Sequence, residues 1–258
     1  MENPSYDPNP IDNSEHLKFY HFLSEDFQES VNASVNYFTN LFKCPIGEIR
    51  LFLKDLPSSR RPYFFGYKKF GKLRVEGDQP LENDELRELI ANVEIDKYMY
   101  LDIPVHPDFH CDSSHLQMEG IRLGYDSGGW ITRDILFSLK STFLLMLGCD
   151  FSKLTPKDCM EFVDRWYHSE DNNFKIMTIQ WTDYLGSVDL EKYNPVKWDR
   201  RRRSQYYPVF PGIAWNFENG MDIQRQDGTW ATIEAIDHTL FFCVWHEMFP
   251  NLEEYEIL

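Results

Sequence analysis

Residues 130–181 read WITRDILFSLKSTFLLMLGCDFSKLTPKDCMEFVDRWYHSEDNNFKIMTIQW, and this stretch carries the clearest local signals in the chain. It predicts a short helix, a strand, a second helix and another strand, in that order. Thr155 stands at an N-cap, Pro156 follows at the first helical position, and Asp158 comes three residues after the cap, where its carboxylate can reach free backbone donors. Leu154 and Cys159 are placed to form a hydrophobic staple, and Cys159, Phe162, Val163 and Trp166 share one helical face. The polar run HSEDNN ends this helix, and FKIMTIQW, rich in β-branched and aromatic residues, suits a strand. The pattern is one of packing, with no phosphate loop or nucleophile motif.

The rest of the chain extends that alternation. GEIRLFLKD places Ile49, Leu51 and Leu53 inward and Arg50, Phe52 and Lys54 outward, as a half-buried strand does. Apolar triplets then recur at Ile46/Ile49/Leu51, Phe70/Leu73/Val75, Tyr98/Leu101/Ile103, Met118/Ile121/Leu123 and Phe174/Met177/Ile179, with Leu144/Met146 as a partial match behind Ser141. Their middle members are 24, 28, 20, 23 and 33 residues apart, close to the spacing of leucine-rich repeats. Helical segments fall between several of them, over Glu82–Val93, Ile131–Leu139 and Pro156–Tyr167. SSRRPYFFGYKKFGKL reads as turn and strand and breaks the pattern. The expected fold is α/β, a leucine-rich-repeat-like stack of strand–helix units; an ordinary α/β fold is the alternative.

After Trp181 the periodicity stops. Residues 182–219, dense in Pro, Tyr and Arg, are expected to form a long surface connection. MDIQRQ, Asp227-Gly228, TWATIEAI, a turn near Asp237-His238 and TLFFCVWHE then predict an antiparallel meander over 220–248 that closes the stack and covers its last strand edge. The domain plan is a frayed segment over 1–28, a helix from Glu29 to Phe42 with Val31, Val35, Phe38 and Phe42 on one face, the repeat-like body over 29–181, the connection and the meander.

With 258 residues, 16% aromatics and a net charge of −16, the chain is a folded acidic protein. That charge repels nucleic acid and anionic membranes, so neither is an expected partner. The N-terminus has no signal-peptide pattern, and no run is long and apolar enough to span a bilayer. The five scattered cysteines are expected to be reduced. The expected location is cytoplasmic or nuclear.

Two blocks resemble the F-box-associated domain, type 2, of nematodes. One joins Trp130-Ile131-Thr132, Ile135–Leu139, Leu154-Thr155-x-x-Asp158 and Phe162-x-x-x-Trp166 to the strand over Ile176–Ile179. The other is Gly220-Met221-Asp222-Ile223-x-Arg225-x-Asp227-Gly228-Thr229-x-Ala231-Thr232-Ile233, finishing at Val244-Trp245. The helix and strand from Val35 to Leu51 also fit, so the resemblance covers most of the chain from about residue 30. It implies a non-enzymatic domain that binds the protein targeted by a cullin-type ubiquitin ligase. The F-box, which docks on Skp1, is not seen in the first thirty or so residues, so Skp1 is not an expected partner of this sequence.

Three groups of candidate site residues remain. On the repeat reading, Arg50, Phe52, Arg74, Arg122 and Thr178 project from the parallel strands and form a concave docking face for an acidic protein segment. Arg200, Arg201, Arg202 and Arg203, near Lys197, Trp198, Tyr206, Tyr207 and Phe210, form a basic patch for an acidic partner or an import signal, or a solvated loop. His106, His110, Cys111 and His115 supply zinc-type donors within ten residues, and a small metal-dependent enzyme built on them is the rival function. Their spacing matches no closed zinc motif, so neither a metal nor another cofactor is expected. Ser127-Gly128-Gly129 is not a nucleophile elbow.

Overall fold

A computed structural model describes residues 46–53, 69–210 and 212–257, together with helical positions 33, 34, 37, 40 and 41. The segment over 1–28, the expected helical face of Val31, Val35, Phe38 and Phe42, the outward Lys54, and most of SSRRPYFFGYKKFGKL lie outside these residues.

The alternation of apolar and polar residues builds a ten-stranded mixed sheet. Its first six strands are β1 (Glu48–Phe52), β2 (Lys69–Glu76), β3 (Glu94–Asp102), β4 (Gly120–Leu123), β5 (Phe143–Cys149) and β6 (Ile176–Trp181). They lie side by side in chain order and are all parallel. Ile49, Leu73, Met99, Ile121, Leu144 and Met177 face one another across this array, separated in sequence by 24, 26, 22, 23 and 33 residues. The third triplet is therefore displaced from the expected alignment: Met99, not Leu101, is the partner of Leu73. Two residues is the period of a strand, so both alignments keep the same face inward and hydropathy alone does not separate them.

Helices α1 (Asn83–Ala91), α2 (Arg133–Ser138) and α3 (Pro156–Tyr167) connect parallel strands and share the core of this apolar face. Leu86, Leu89 and Ile90 from α1, Ile135 and Leu136 from α2, and Cys159, Val163 and Trp166 from α3 are buried in it. Each fully buried aliphatic side chain contributes about 2 kcal/mol of transfer free energy. The α3 start is as expected. Thr155 Oγ1 accepts from Asp158 N at 3.2 Å, and Asp158 Oδ2 accepts from Thr155 N at 2.8 Å. The Trp181 indole donates to the Leu154 carbonyl at 2.7 Å, which joins the end of β6 to the helix entry. Gly148 sits at φ +69° in an irregularity of β5, where a Cβ would collide with the Tyr125 carbonyl.

The C-terminal strands continue the same sheet. These are β10 (Met221–Gln224), β11 (Trp230–Ile236) and β12 (Thr239–Trp245), antiparallel to one another, and β12 pairs with β6 and covers its edge. The 182–219 connection departs from expectation. It contains β7 (Val196–Lys197), which pairs with β10, and β8 (Tyr206–Phe210) and β9 (Ile213–Asn216), which form a separate three-stranded sheet with β13 (Glu256–Ile257). Its buried Tyr207, Val209 and Phe217 form a second layer's core, and its buried Tyr193 joins the main core, so the segment is not a surface loop. Strands of two to five residues are too short for a period to show in sequence. No helix among the described residues is long and apolar enough to cross a membrane.

Thr155→Ala removes the cap oxygen and is expected to cost about 1 kcal/mol of stability. A urea unfolding midpoint equal to that of the unchanged protein would mean the cap contributes nothing.

Candidate functional site

The sheet face away from the helices is divided. Over β5, β6 and β12 it is covered by the three-stranded sheet, and Leu145, Ile176, Cys243 and Trp245 pack there with Tyr207, Val209 and Phe217. Thr178 belongs to this covered part. It stands in register between Leu145 and Phe241 and is only 3% exposed. This corrects its expected place on an open docking surface, because a residue pointing away from the helices here points into a second core.

Over β1–β4 the same face is polar and partly exposed. Arg50, Arg74, Tyr100 and Arg122 stand in register on four adjacent strands, about 4.8 Å apart along the hydrogen-bonding direction. The Arg74 and Arg122 guanidinium carbons lie 4.8 and 4.6 Å from the centroid of the Tyr100 ring, reaching it from the strands on either side. The Tyr100 hydroxyl donates to Asp102 Oδ2 at 2.9 Å. Burial pushes this phenol up to about 12, with Arg122 opposing the shift, so it remains a neutral donor at physiological pH. Arg74 pairs with Glu76, and Arg50 with Glu48 at 2.8 Å. Phe52, 43% exposed, ends the strip on β1. At the other side Tyr98 meets Phe143 edge-on at 6.2 Å, at the foot of the second layer. A Cβ on Gly120 would collide with the Tyr98 ring, so glycine at position 120 leaves the room this ring occupies. Tyr98 and Tyr100 were missed as site residues. Aligning Met99 with Leu73 would have placed Tyr100 beside Arg74.

The four consecutive arginines do not act as one patch. Arg203 is fully buried, which corrects its expected exposure. It donates to Asp222 Oδ1 at 2.8 Å, to the Ser204 carbonyl at 2.8 Å and to the Phe217 carbonyl at 2.9 Å, and its guanidinium lies 4.8 Å from the Trp245 ring. Asp222 Oδ1 also accepts from Thr232, whose hydroxyl accepts from the Trp245 indole at 2.7 Å. Arg202 donates to Asp222 Oδ2 at 2.8 Å and lies over Trp230. Arg200 and Arg201 alone form the exposed tip. A charge run looks alike whether its members are solvated or paired, and the partner here is about twenty residues away.

The same logic explains the C-terminal motif block. Arg225 is buried, reaches both carboxylate oxygens of Asp227, the Asp171 carbonyl and Asn172, and stacks 4.8 Å over Trp166. The polar residues of this block are internal braces that tie the turn before β11 to the end of α3.

Among the described residues, no group of three or more His, Cys, Asp or Glu side chains is gathered as a metal ion would need. His106 and His110 are exposed, His115 ends a 3-10 turn, and burial pushes the Cys111 thiol up to about 12. Ser127 is wholly buried; its hydroxyl donates to the Ile103 carbonyl at 2.7 Å and accepts from the Ile103 amide at 3.2 Å, which ties down the end of β3. Cys111, Cys149, Cys159 and Cys243 are free thiols, and Cys44 lies outside the described residues.

No protein-family model matches this sequence, and no solved structure does. The chain is similar to "Uncharacterized protein F59B2.8" of Caenorhabditis elegans, 23% identical over 251 residues that make up 93% of this chain and 55% of that protein. It is also similar to "Uncharacterized protein F59B2.9" of the same organism, 27% identical over 146 residues, 51% of this chain and 32% of that protein. These similarities, at low identity, are consistent with a nematode family. The chain spans about half the length of the first relative and a third of the second.

Removing the Asp222 carboxylate strands a buried guanidinium. Asp222→Ala is therefore expected to destabilise the fold by about 3–5 kcal/mol, whereas Arg201→Ala at the exposed tip is expected to leave the denaturation midpoint unchanged. A second expectation concerns Glu234, 7% exposed, whose Oε2 has no hydrogen-bond partner among the described residues. Burial raises its carboxyl above the ordinary glutamate value, with Arg203 opposing. A raised carboxyl binds its proton more tightly in the folded state, so this contribution is full below the unfolded pKa and is lost as pH rises through the folded one. Glu234→Gln should flatten the fall in melting temperature between the unfolded and the folded pKa. An unchanged slope would show that the carboxyl is not desolvated.

Proposed function

We propose that this chain is a non-enzymatic protein-interaction domain of the F-box-associated kind, built as a leucine-rich-repeat-like stack whose open sheet face captures an acidic segment of a target protein. The observation that carries this reading is the strip in which Arg74 and Arg122 flank Tyr100 on three adjacent strands, beside Arg50 and Phe52. Arginine and tyrosine are the residue types that dominate binding energy at protein interfaces. Six parallel strands in chain order, with partners 22 to 33 residues apart, support the repeat reading. The two sequence blocks, and similarity to nematode proteins, support the F-box-associated reading.

On this reading the target is a protein, with no role for nucleic acid or membrane, in the cytoplasm or nucleus. Docking to Skp1 is not assigned to these residues. Both relatives extend well beyond the matched stretch, so any ligase role belongs to the whole protein and not to this surface alone.

The double variant Arg74→Glu/Arg122→Glu tests the reading in quantitative affinity capture, with circular dichroism confirming the fold. Proteins held by the unchanged chain at low salt are expected to be lost at least about tenfold. Capture of the same proteins at the same level would remove the sheet face from the proposal. Mixing the purified chain with Skp1 on gel filtration is expected to give two separate peaks.

A further inference from the structure

A second surface stands apart from the sheet strip. The Asp199 carbonyl accepts from the amides of Arg202 and Arg203 at 2.8 and 3.2 Å, and Asp199 Oδ1 accepts from the Arg201 amide at 2.8 Å. This closes a tight turn with Arg200 and Arg201 at its tip. The turn is anchored because Arg202 and Arg203 are both bound to Asp222. The Ser204 amide donates to the Met248 carbonyl at 2.7 Å and ties the turn to residues 248–250. The Trp198 indole is fixed by its bond to the Arg203 carbonyl at 3.2 Å.

Between these two segments lies an open cleft of about 500 Å³, and Trp198, Arg200, Tyr206, Phe249 and Pro250 are among the residues that line it. This volume is within the range of small binding clefts. Phe249 is 56% exposed, a large apolar ring left in water. Among the described residues, Arg200 and Arg201 make no side-chain ion pair, unlike Arg202 and Arg203.

We propose that this cleft is a peptide-docking site, independent of the sheet face, that takes an acidic segment carrying an aromatic or aliphatic side chain next to a carboxylate. The apolar side chain enters between Phe249 and the Trp198–Tyr206 wall, and the carboxylate meets the Arg200 guanidinium. Arginine offers two parallel donors to a carboxylate, and rigid aromatics lose little entropy when a ligand covers them. Charge decides between acidic and basic peptides, since both cations of the tip are free to pair. The net charge of −16 disfavours a long polyanion such as nucleic acid, which extends past the tip into repulsive surface.

Fluorescence anisotropy with short labelled peptides of alternating Glu and Phe, Glu and Ser, or Lys and Phe tests this, with a labelled single-stranded oligonucleotide as a further probe. The Glu–Phe peptide is expected to bind and to weaken with salt. Arg200→Glu and Phe249→Ser should each weaken it about tenfold. Both positions are exposed, so melting curves should match the unchanged protein. Arg74→Glu/Arg122→Glu should leave this binding intact, which separates the cleft from the sheet strip. The proposal is overturned if the Glu–Phe peptide does not bind, if the Lys–Phe peptide or the oligonucleotide binds as well, or if neither Arg200 nor Phe249 matters.

Discussion

Parallel pairing of six strands in chain order is the constraint from which the rest of the structure follows. Parallel neighbours cannot be joined by tight hairpins, so each connection must travel back along the sheet. Where it does so as a helix, its apolar side lands on the row running from Leu73 through Met99, Ile121 and Leu144 to Met177. A slip of one residue anywhere would turn leucine and methionine to the polar face and arginine into the core. Register thus decides both where the protein is solid and which side chains stand together on the other side.

That other side acquires its character from the second layer. The three-stranded sheet closes the polar face over β5, β6 and β12 and leaves β1–β4 uncovered by it. The layer is held in place by charge buried deliberately in pairs. Arg203 and Asp222 would each be costly alone in this interior; together with Thr232, Trp245 and backbone carbonyls they satisfy one another. Arg225, at the turn between β10 and β11, is satisfied instead by Asp227 and by the segment after α3, on the main-core side. Hydrogen bonds from Arg225 hold the Asp227 carboxyl well below the usual range, so that brace weakens on acidification, whereas burial of Glu234 favours low pH.

Arginine therefore has two uses in this molecule. In the core it is a bridging donor with a carboxylate partner and an indole face. On the surface it stands beside tyrosine or phenylalanine, over β2–β4 and again at the 198–206 turn. In a protein of net charge −16, such local cationic sites with aromatic neighbours are the features on which both docking proposals rest.

Much of this was legible in the residue order. The Thr155-Pro156-Asp158 cap, the amphipathic face of α3, the Asp227-Gly228 hairpin and the alternation along β1 are local signals, and local physics is enough to read them. The outward placement of Arg50, Arg74 and Arg122 followed from the same alternation. Contacts between distant residues were not legible. That Arg203 meets Asp222, that Tyr100 lies between two arginines, and that Thr178 is roofed over all depend on which segments become neighbours in space. A two-residue period cannot choose between alignments two residues apart, and a charge carries no mark of its future partner, so those facts exist only once the chain has folded.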